Sequence, residues 1–190
     1  MVDSDFIEKC INSEKVFSGR LLHVFKDVVT LPGGRESVRE YIKHPGAAVV
    51  IPQKENGSIL MVKQYRYPVG RVMLELPAGK LDPGEDPKTT MSRELREETS
   101  FTAERIVKIT DIHTCVGYSS ELLTLFWADT LSPSKCQPDL DETIEVVEVD
   151  INDVLEKMYS NDITDAKTII GLFWADKIIN DSSFRKRFLD

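Results

Sequence analysis

The pattern of hydrophobic and polar positions predicts strands first, then a helix, more strands and closing helices. Residues 14–43 are rich in β-branched and aromatic side chains around an LPGG turn at 31–34, which predicts a small antiparallel sheet. The apolar run 46–53 and the stretch 58–67 flank an Asn-Gly turn signal, so we expect them to pair as a hairpin. Residues 72–79 are expected to form another strand.

The second half of the chain predicts an α+β fold. Met91 and Leu95 lie four positions apart on an apolar stripe, which predicts a helix over 88–99. The later strands are expected at 104–115, 121–129 and 143–150, and two closing helices at 151–160, capped by Asn152 or Asp153, and at 165–179. This order is typical of a mixed sheet sandwiched between helices. We place a boundary after residue 44, giving N-terminal strands over 1–44 and a main domain over 45–190.

Composition narrows the classes of function. No apolar run is long enough to span a membrane, and the acidic start MVDSDFIEKC does not predict a signal peptide. Three cysteines at wide spacing fit reduced thiols in a cytoplasmic protein better than a zinc site. The net charge of −8 disfavours nucleic-acid binding, and it opposes anionic small molecules unless arginines or a metal reverse the local charge.

The stretch RELREETSF at 93–101 concentrates the candidate chemistry. On a helix, Glu94, Glu97 and Glu98 share one face, and like charges at that spacing repel by roughly 0.2–0.5 kcal/mol per pair. The stretch alone favours a solvated helix face, on which Arg93 and Glu97 form an ordinary i,i+4 pair. A socket for a cation is the alternative.

The spacing upstream changes that balance. The chain reads Gly79-x5-Glu85-x7-Arg93-Glu94-Leu95-x-Glu97-Glu98-x-Ser100-Phe101. It resembles the box of the Nudix hydrolases, G-x5-E-x7-R-E-U-x-E-E-x-G-U, at every fixed position except the second glycine, here Ser100. A glycine at that position would take a left-handed conformation where the helix ends, and serine can do so at a modest cost.

The resemblance implies roles for the box residues. Glu94 and Glu98 would be carboxylate ligands of Mg²⁺ or Mn²⁺, with the Ala78 carbonyl as a further ligand. Hard oxygen donors of this kind are what Mg²⁺ prefers. Glu97 would bind another ion or orient water, so the implied catalytic residues are Glu97, Glu98 and Glu142. Gly79, Glu85 and Arg93 would be structural, with Arg93 joining the loop to the helix.

Beyond the box, the chain looks most like the ADP-ribose pyrophosphatase branch of the family, from about residue 17 onward. The matching stretches include FSGRLLHV, VKQYRYPVGRVMLELPAGKLDPGE, GYSSELLTLFWA and DAKT at 165–168. The resemblance implies a homodimer in which the N-terminal strands mediate dimerisation. It also implies Mg²⁺-dependent hydrolysis of ADP-ribose to AMP and ribose 5-phosphate. Hydrolysis of GDP-mannose or UDP-glucose is an alternative, and a non-catalytic module that binds nucleotide sugars is another.

Four positions outside the box carry over by resemblance. Arg66 matches an arginine that contacts substrate phosphates, although a surface arginine or a dimer salt bridge is the alternative. Glu75 and Glu121 match residues near the substrate. The alternatives are a buried structural carboxylate for Glu75 and a solvated glutamate at the start of a strand for Glu121. Glu142 matches an acidic loop residue that is a metal ligand or base. The alternative for Glu142 is a flexible acidic residue at the surface. Relatives often carry that acid two residues earlier, where Leu140 stands here.

Other features leave the substrate open. Val116 stands where the ADP-ribose branch usually has proline, which keeps other nucleotide sugars in consideration. Tyr65, Tyr67 and Tyr118 could stack on a base, but strand aromatics more often lie in a core. The three histidines lack metal-ligand spacing and receive no catalytic role.

Overall fold

A computed structural model of the chain describes residues 3–135 and 143–189. They fall into two compact units, Met1–Gly46 with His113–Leu122, and Ala47–Ile112 with Leu123–Asp190. The strands are β1 (Lys9–Ser18), β2 (His23–Thr30), β3 (Glu36–Ile42), β4 (Ala47–Pro52), β5 (Ile59–Arg66), β6 (Arg71–Glu75), β7 (Ala78–Lys80), β8 (Phe101–His113), β9 (Leu122–Pro133) and β10 (Ile144–Val149). The helices are a 3-10 turn at Asp3–Phe6, α1 (Pro87–Thr99), α2 (Ile151–Tyr159), α3 (Ala166–Asn180) and α4 (Ser182–Leu189).

The first unit is built on an antiparallel meander in the order β1-β2-β3, as the sequence predicts for its N-terminal part. The turn between β2 and β3 uses Gly33 and Gly34, both at positive φ, a conformation that glycine adopts without strain. Segment 113–122 joins the end of β3, because Ile42 donates to the Tyr118 carbonyl and accepts from Ser120. Every residue of β1 is exposed, so this strand leaves one edge of the meander open.

The second unit contains a mixed sheet in the order β7-β4-β9-β8 and an antiparallel sheet in the order β10-β5-β6. Strand β4 is antiparallel to β7 and parallel to β9. All six residues of β4 are buried, and all but Pro52 divide between two hydrophobic cores. Ala48 and Val50 pack with Met91 and Leu95 of α1, whereas Val49 and Ile51 join the core that includes α2 and α3. The predicted α+β class, with a mixed sheet between helices, is therefore confirmed.

The predicted hairpin of 46–53 with 58–67 is wrong. The turn forms, with Gly57 at positive φ and Lys54 donating to the Ser58 carbonyl, but only Gln53 and Ile59 bridge across it. Beyond that bridge β4 and β5 enter different sheets. The predicted strand 72–79 is likewise divided at Leu76-Pro77 into β6 and β7, which lie in different sheets. Proline cannot donate to a strand ladder, so a break there is physically reasonable.

Helix α2 begins at a different cap from the one expected. Asp150, not Asn152 or Asp153, caps α2, because its side chain accepts from the Asn152 backbone N–H. Asp165 caps α3. Helix α4 was not predicted from the sequence; its Phe184 and Phe188 contact Trp174 of α3. No helix within residues 3–135 and 143–189 is both long and apolar enough to cross a membrane.

Candidate active site

Helix α1 begins directly after the glycine-bracketed loop that follows β7. The Asp86 side chain accepts hydrogen bonds from the backbone N–H groups of Lys88 and Thr89, at 3.0 and 3.2 Å. Pro87 occupies the first turn, where its missing N–H costs no helical hydrogen bond. On the other side of the helix, Met91 and Leu95 are fully buried. The cap fixes where α1 begins, and the buried apolar stripe determines which face of the helix is left for the acidic residues.

Two glutamates of α1 lie against β7. Glu98 Oε2 accepts from the Ala78 backbone N–H at 3.0 Å. Glu94 packs so closely on Gly79 that a Cβ built there would lie 1.8 Å from its Oε1. A Cβ at this position would displace the Glu94 side chain from its place beside β7. The structure brings together Ala78, Glu94 and Glu98, which the resemblance names as metal ligands.

Arg93 joins the loop to the acidic face of the helix. Its guanidinium donates to Glu85 Oε2 at 3.0 Å, to Glu94 Oε1 at 2.8 Å and to Glu97 Oε2 at 3.1 Å. The hydrogen bonds from Arg93 and then Thr90 lower the pKa of Glu85 to about 2. The hydrogen bond to Glu85 in turn contributes most to raising the pKa of Arg93. These contacts fit the loop-to-helix linkage that the resemblance implies.

A second cluster joins Arg66, the last residue of β5, to Glu75, the last residue of β6. The Arg66 guanidinium donates two hydrogen bonds of 2.8 Å each to the Glu75 carboxylate, and Glu75 is only 2% exposed. Burial alone would raise the pKa of Glu75, but the hydrogen bonds from Arg66 and the charge of Lys167 outweigh it and the pKa is lowered. The hydrogen bond to Glu75 raises the pKa of Arg66, and the charge of Glu98 adds to that rise. Arg66 therefore lies within electrostatic reach of the acidic face of α1.

Glu121 belongs to the other compact unit. There its carboxylate accepts from the Thr114 hydroxyl at 2.7 Å and lies 3.6 Å from His44 Nε2. Glu142 lies outside the described residues. Val116 is 79% exposed. The expectation that the three singled-out tyrosines lie in a core is wrong, because Tyr65, Tyr67 and Tyr118 are all more than half exposed.

Lys167 and Asp165 also belong to the Arg66 cluster, and neither was predicted from the sequence as a site residue. Lys167 contacts Glu75 Oε2 and lies 2.8 Å from Asp165 Oδ2. The available signal was the DAKT stretch, which carries a charged pair at the start of a predicted helix. Sequence separation hid the contact, since Lys167 and Glu75 are 92 residues apart.

The donor set of the α1 face fits a hard divalent cation. Across the part of the chain that the structure describes, no three acidic, histidine or cysteine side chains form a preassembled metal cage. Mg²⁺ does not require one, because proteins usually hold it through one or two carboxylates, waters and the phosphates of a substrate. Glu94 and Glu98, one turn apart beside the Ala78 backbone, supply such a pair.

Comparison with known proteins places this chain in a family. The model of the NUDIX domain family matches residues 42–169, and the chain belongs to that family. It is 44% identical over 167 residues to the ADP-ribose pyrophosphatase of Bacillus subtilis (strain 168), covering 87% of this chain and 90% of that protein. It is 38% identical over 169 residues to the methanol dehydrogenase activator of Bacillus methanolicus, covering 88% and 91% respectively.

A solved structure supports the fold. The crystal structure of an ADP compounds hydrolase matches with a TM-score of 0.82, covering 93% of this chain and 96% of its own. At 20% identity the likeness concerns the fold alone. The predicted resemblance to Nudix hydrolases and the predicted fold are confirmed.

The departure from the box at Ser100 has a measurable consequence. Ser100 ends α1 at φ 59° and ψ 31°, a left-handed conformation, and its N–H donates to the Arg96 carbonyl at 3.0 Å. This conformation costs an L-residue about 1 kcal/mol that glycine avoids. We expect Ser100→Gly to raise Tm by about 2–4 °C in thermal melting, because relief of about 1 kcal/mol gives a shift of that size in a domain of similar length.

Ser160 provides a matched control for Ser100. It ends α2 at φ −77° and ψ 0°, where serine is unstrained. Ser160→Gly should therefore leave Tm unchanged or lower it slightly. An equal rise in both variants, or no rise for Ser100→Gly, would contradict strain at the end of α1.

Proposed function

We propose that this chain hydrolyses the pyrophosphate bond of ADP-ribose in a Mg²⁺-dependent reaction, giving AMP and ribose 5-phosphate. The observation that carries the proposal is the seating of Glu94 and Glu98 against Ala78 and Gly79 within an intact acidic box. The relative from Bacillus subtilis, named as an ADP-ribose pyrophosphatase, supports the choice of substrate.

The metal-binding residues and Arg66 have separate roles in the proposed reaction. Mg²⁺, or Mn²⁺, held by Glu94, Glu98 and the Ala78 carbonyl would offset the negative charge of the pyrophosphate and make a nearby water more acidic. Arg66 would bind a phosphate oxygen through the guanidinium edge that does not face Glu75. Water then adds to one phosphorus while the bond from that phosphorus to the bridging oxygen breaks.

Two residues remain candidates for the base that accepts the proton of the attacking water. Glu97 is held by Arg93 on the same helix as Glu94 and Glu98, so its carboxylate is oriented rather than free to rotate. Glu142, outside the described residues, is the other candidate, and it is also a proposed metal ligand. Glu75 and Glu121 complete the proposed substrate-binding set, Glu75 through its grip on Arg66.

The proposed setting is a cytoplasmic homodimer with no nucleic-acid or membrane partner. The net charge of −8 disfavours nucleic acid. The proposed dimerisation segment, residues 1–44, exposes Ile11, Val16 and Phe17 on its first strand, and each is about half exposed. An apolar strand edge of this kind favours association with another chain. Residues 45–190 would form the catalytic domain.

A substrate panel tests the proposal. Purified protein with Mg²⁺ is given ADP-ribose, GDP-mannose and UDP-glucose, and release of nucleoside monophosphate is measured to obtain kcat/KM. We expect the largest kcat/KM for ADP-ribose and no turnover in EDTA. A higher kcat/KM for GDP-mannose or UDP-glucose would show that this nucleotide sugar, and not ADP-ribose, is the preferred substrate. Binding without turnover of any of the three would instead support a nucleotide-sugar-binding module.

A further inference from the structure

The carboxylate of Glu75 is shared by two cations. Arg66 Nε donates to Oε1 and Nη2 to Oε2, each at 2.8 Å, and the Lys167 ammonium also contacts Oε2. The Glu75 side chain is 3% exposed and the Lys167 side chain 12% exposed, so both charges are largely removed from water. Interactions between charges are stronger in such a place than at a surface. The position of Arg66 therefore depends on the complete charge set around Glu75.

Lys167 is itself fixed by the start of α3. Its ammonium lies 2.8 Å from Asp165 Oδ2, the oxygen that caps α3 by accepting from Thr168 N–H at 3.0 Å. The Thr168 hydroxyl donates to the same oxygen at 2.6 Å and accepts from Leu76 N–H at 2.9 Å. The lysine is thus held between α3 and the end of β6 by a connected set of hydrogen bonds.

The charges in this cluster balance only when Lys167 is present. Arg66 and Lys167 are positive, and Glu75 and Asp165 are negative. Without Lys167, two neighbouring carboxylates would face the single guanidinium of Arg66. An uncompensated charge in a largely buried network is strongly unfavourable, so the remaining groups would rearrange to reduce it.

We propose that Lys167 is a positioning residue, which acts through Glu75 to hold the Arg66 guanidinium ready for the pyrophosphate of the substrate; this role rests on the proposed function. The bidentate contact with Glu75 fixes the plane and one edge of the guanidinium. Nη1 stands outside that contact and provides the edge for a phosphate oxygen. The effect of Lys167 on binding passes through Arg66.

A double-mutant cycle on ligand binding tests this role. The Kd of ADP-ribose is measured by calorimetry in EDTA, where metal-dependent turnover does not consume the ligand. Lys167→Met should weaken binding about ten-fold, the size expected for loss of one charge-assisted interaction. In an Arg66→Ala background the same change should alter Kd less than about two-fold, because the route of its effect is gone. With Mg²⁺, Lys167→Met should raise KM and change kcat less than about three-fold.

Two further variants separate positioning from stability. Lys177→Met removes another lysine of α3, one paired with Asp181 at the surface, and should leave Kd unchanged. Lys167→Arg keeps the charge and should restore binding to within about three-fold of the unaltered chain. If Lys167→Met does not fold in thermal melting, the cycle is run with Lys167→Gln, for which a smaller but still non-additive effect is expected.

The cycle distinguishes this inference from the proposed function. Equal effects of Lys167→Met with and without Arg66 would overturn the positioning role, whatever the turnover. Absence of hydrolysis together with a non-additive cycle would overturn the proposed reaction and leave the positioning role standing.

Discussion

Glu98→Gln is expected to lower kcat for ADP-ribose by roughly 100- to 1,000-fold with little change in fold. A bound metal contributes several kcal/mol of transition-state stabilisation, and each 1.36 kcal/mol corresponds to a factor of ten in rate. Glutamine keeps an amide oxygen that can accept the hydrogen bond from Ala78 N–H, so the seat on β7 is retained. The side-chain charge, which a cation requires, is lost. The measurements are kcat with Mg²⁺ and Tm.

Glu156→Gln is the matched control for Glu98→Gln. Glu156 is an exposed helical glutamate on α2, remote in sequence from the box. It should leave both kcat and Tm unchanged. Unchanged turnover in Glu98→Gln would overturn the assignment of Glu98 to the metal. A large fall in Tm together with the loss of turnover would instead point to a structural carboxylate.

The acidic face of α1 could be predicted from the sequence because its determinants are local. Residues three and four apart share a helix face, so Glu94 and Glu98 were placed together by spacing alone. The loop-to-helix role of Arg93 was implied by the resemblance, and the structure places Arg93 in contact with Glu85. Even Ser100 keeps the left-handed end that glycine would take there. From the residue pattern alone, the strand against which α1 packs could not be predicted, because β7 was merged with β6 in one predicted strand. Only the resemblance placed Ala78 beside Glu94 and Glu98.

The strand pairing was predicted wrongly and the Arg66 cluster was not predicted, because both depend on partners that are distant in the chain. Strand β4 is a continuous apolar run and β5 begins with one, and an apolar run does not indicate which neighbour it pairs with. The turn signal at Asn56-Gly57 was correct locally, but the two strands that flank the turn lie in separate sheets. Arg66 and Glu75 were each assigned to substrate separately, and Lys167, which joins them to α3, was not assigned at all.

Gly79→Ala is expected to reduce kcat about as severely as loss of the Glu94 carboxylate, by roughly 100-fold or more. The backbone of Gly79 does not require glycine, since its φ is not positive. The requirement is the contact: a new Cβ would lie 1.8 Å from Glu94 Oε1 and 2.5 Å from Glu94 Cγ. The Glu94 side chain must therefore leave its seat, or α1 must move away from β7. Overpacking of this kind typically costs about 1–3 kcal/mol of stability.

A double-mutant cycle with Glu94→Ala tests whether the effect of Gly79→Ala comes from its contact with the Glu94 side chain. Glu94→Ala alone should abolish turnover, but it removes the atoms that the new Cβ would strike. Adding Gly79→Ala to that background should then lower Tm much less than it does in the unaltered chain, so the two changes are non-additive in stability. The double variant should remain inactive, because the carboxylate is still missing. Equal losses of Tm in both backgrounds, or normal kcat in Gly79→Ala, would show that the glycine is not there to seat Glu94 against β7.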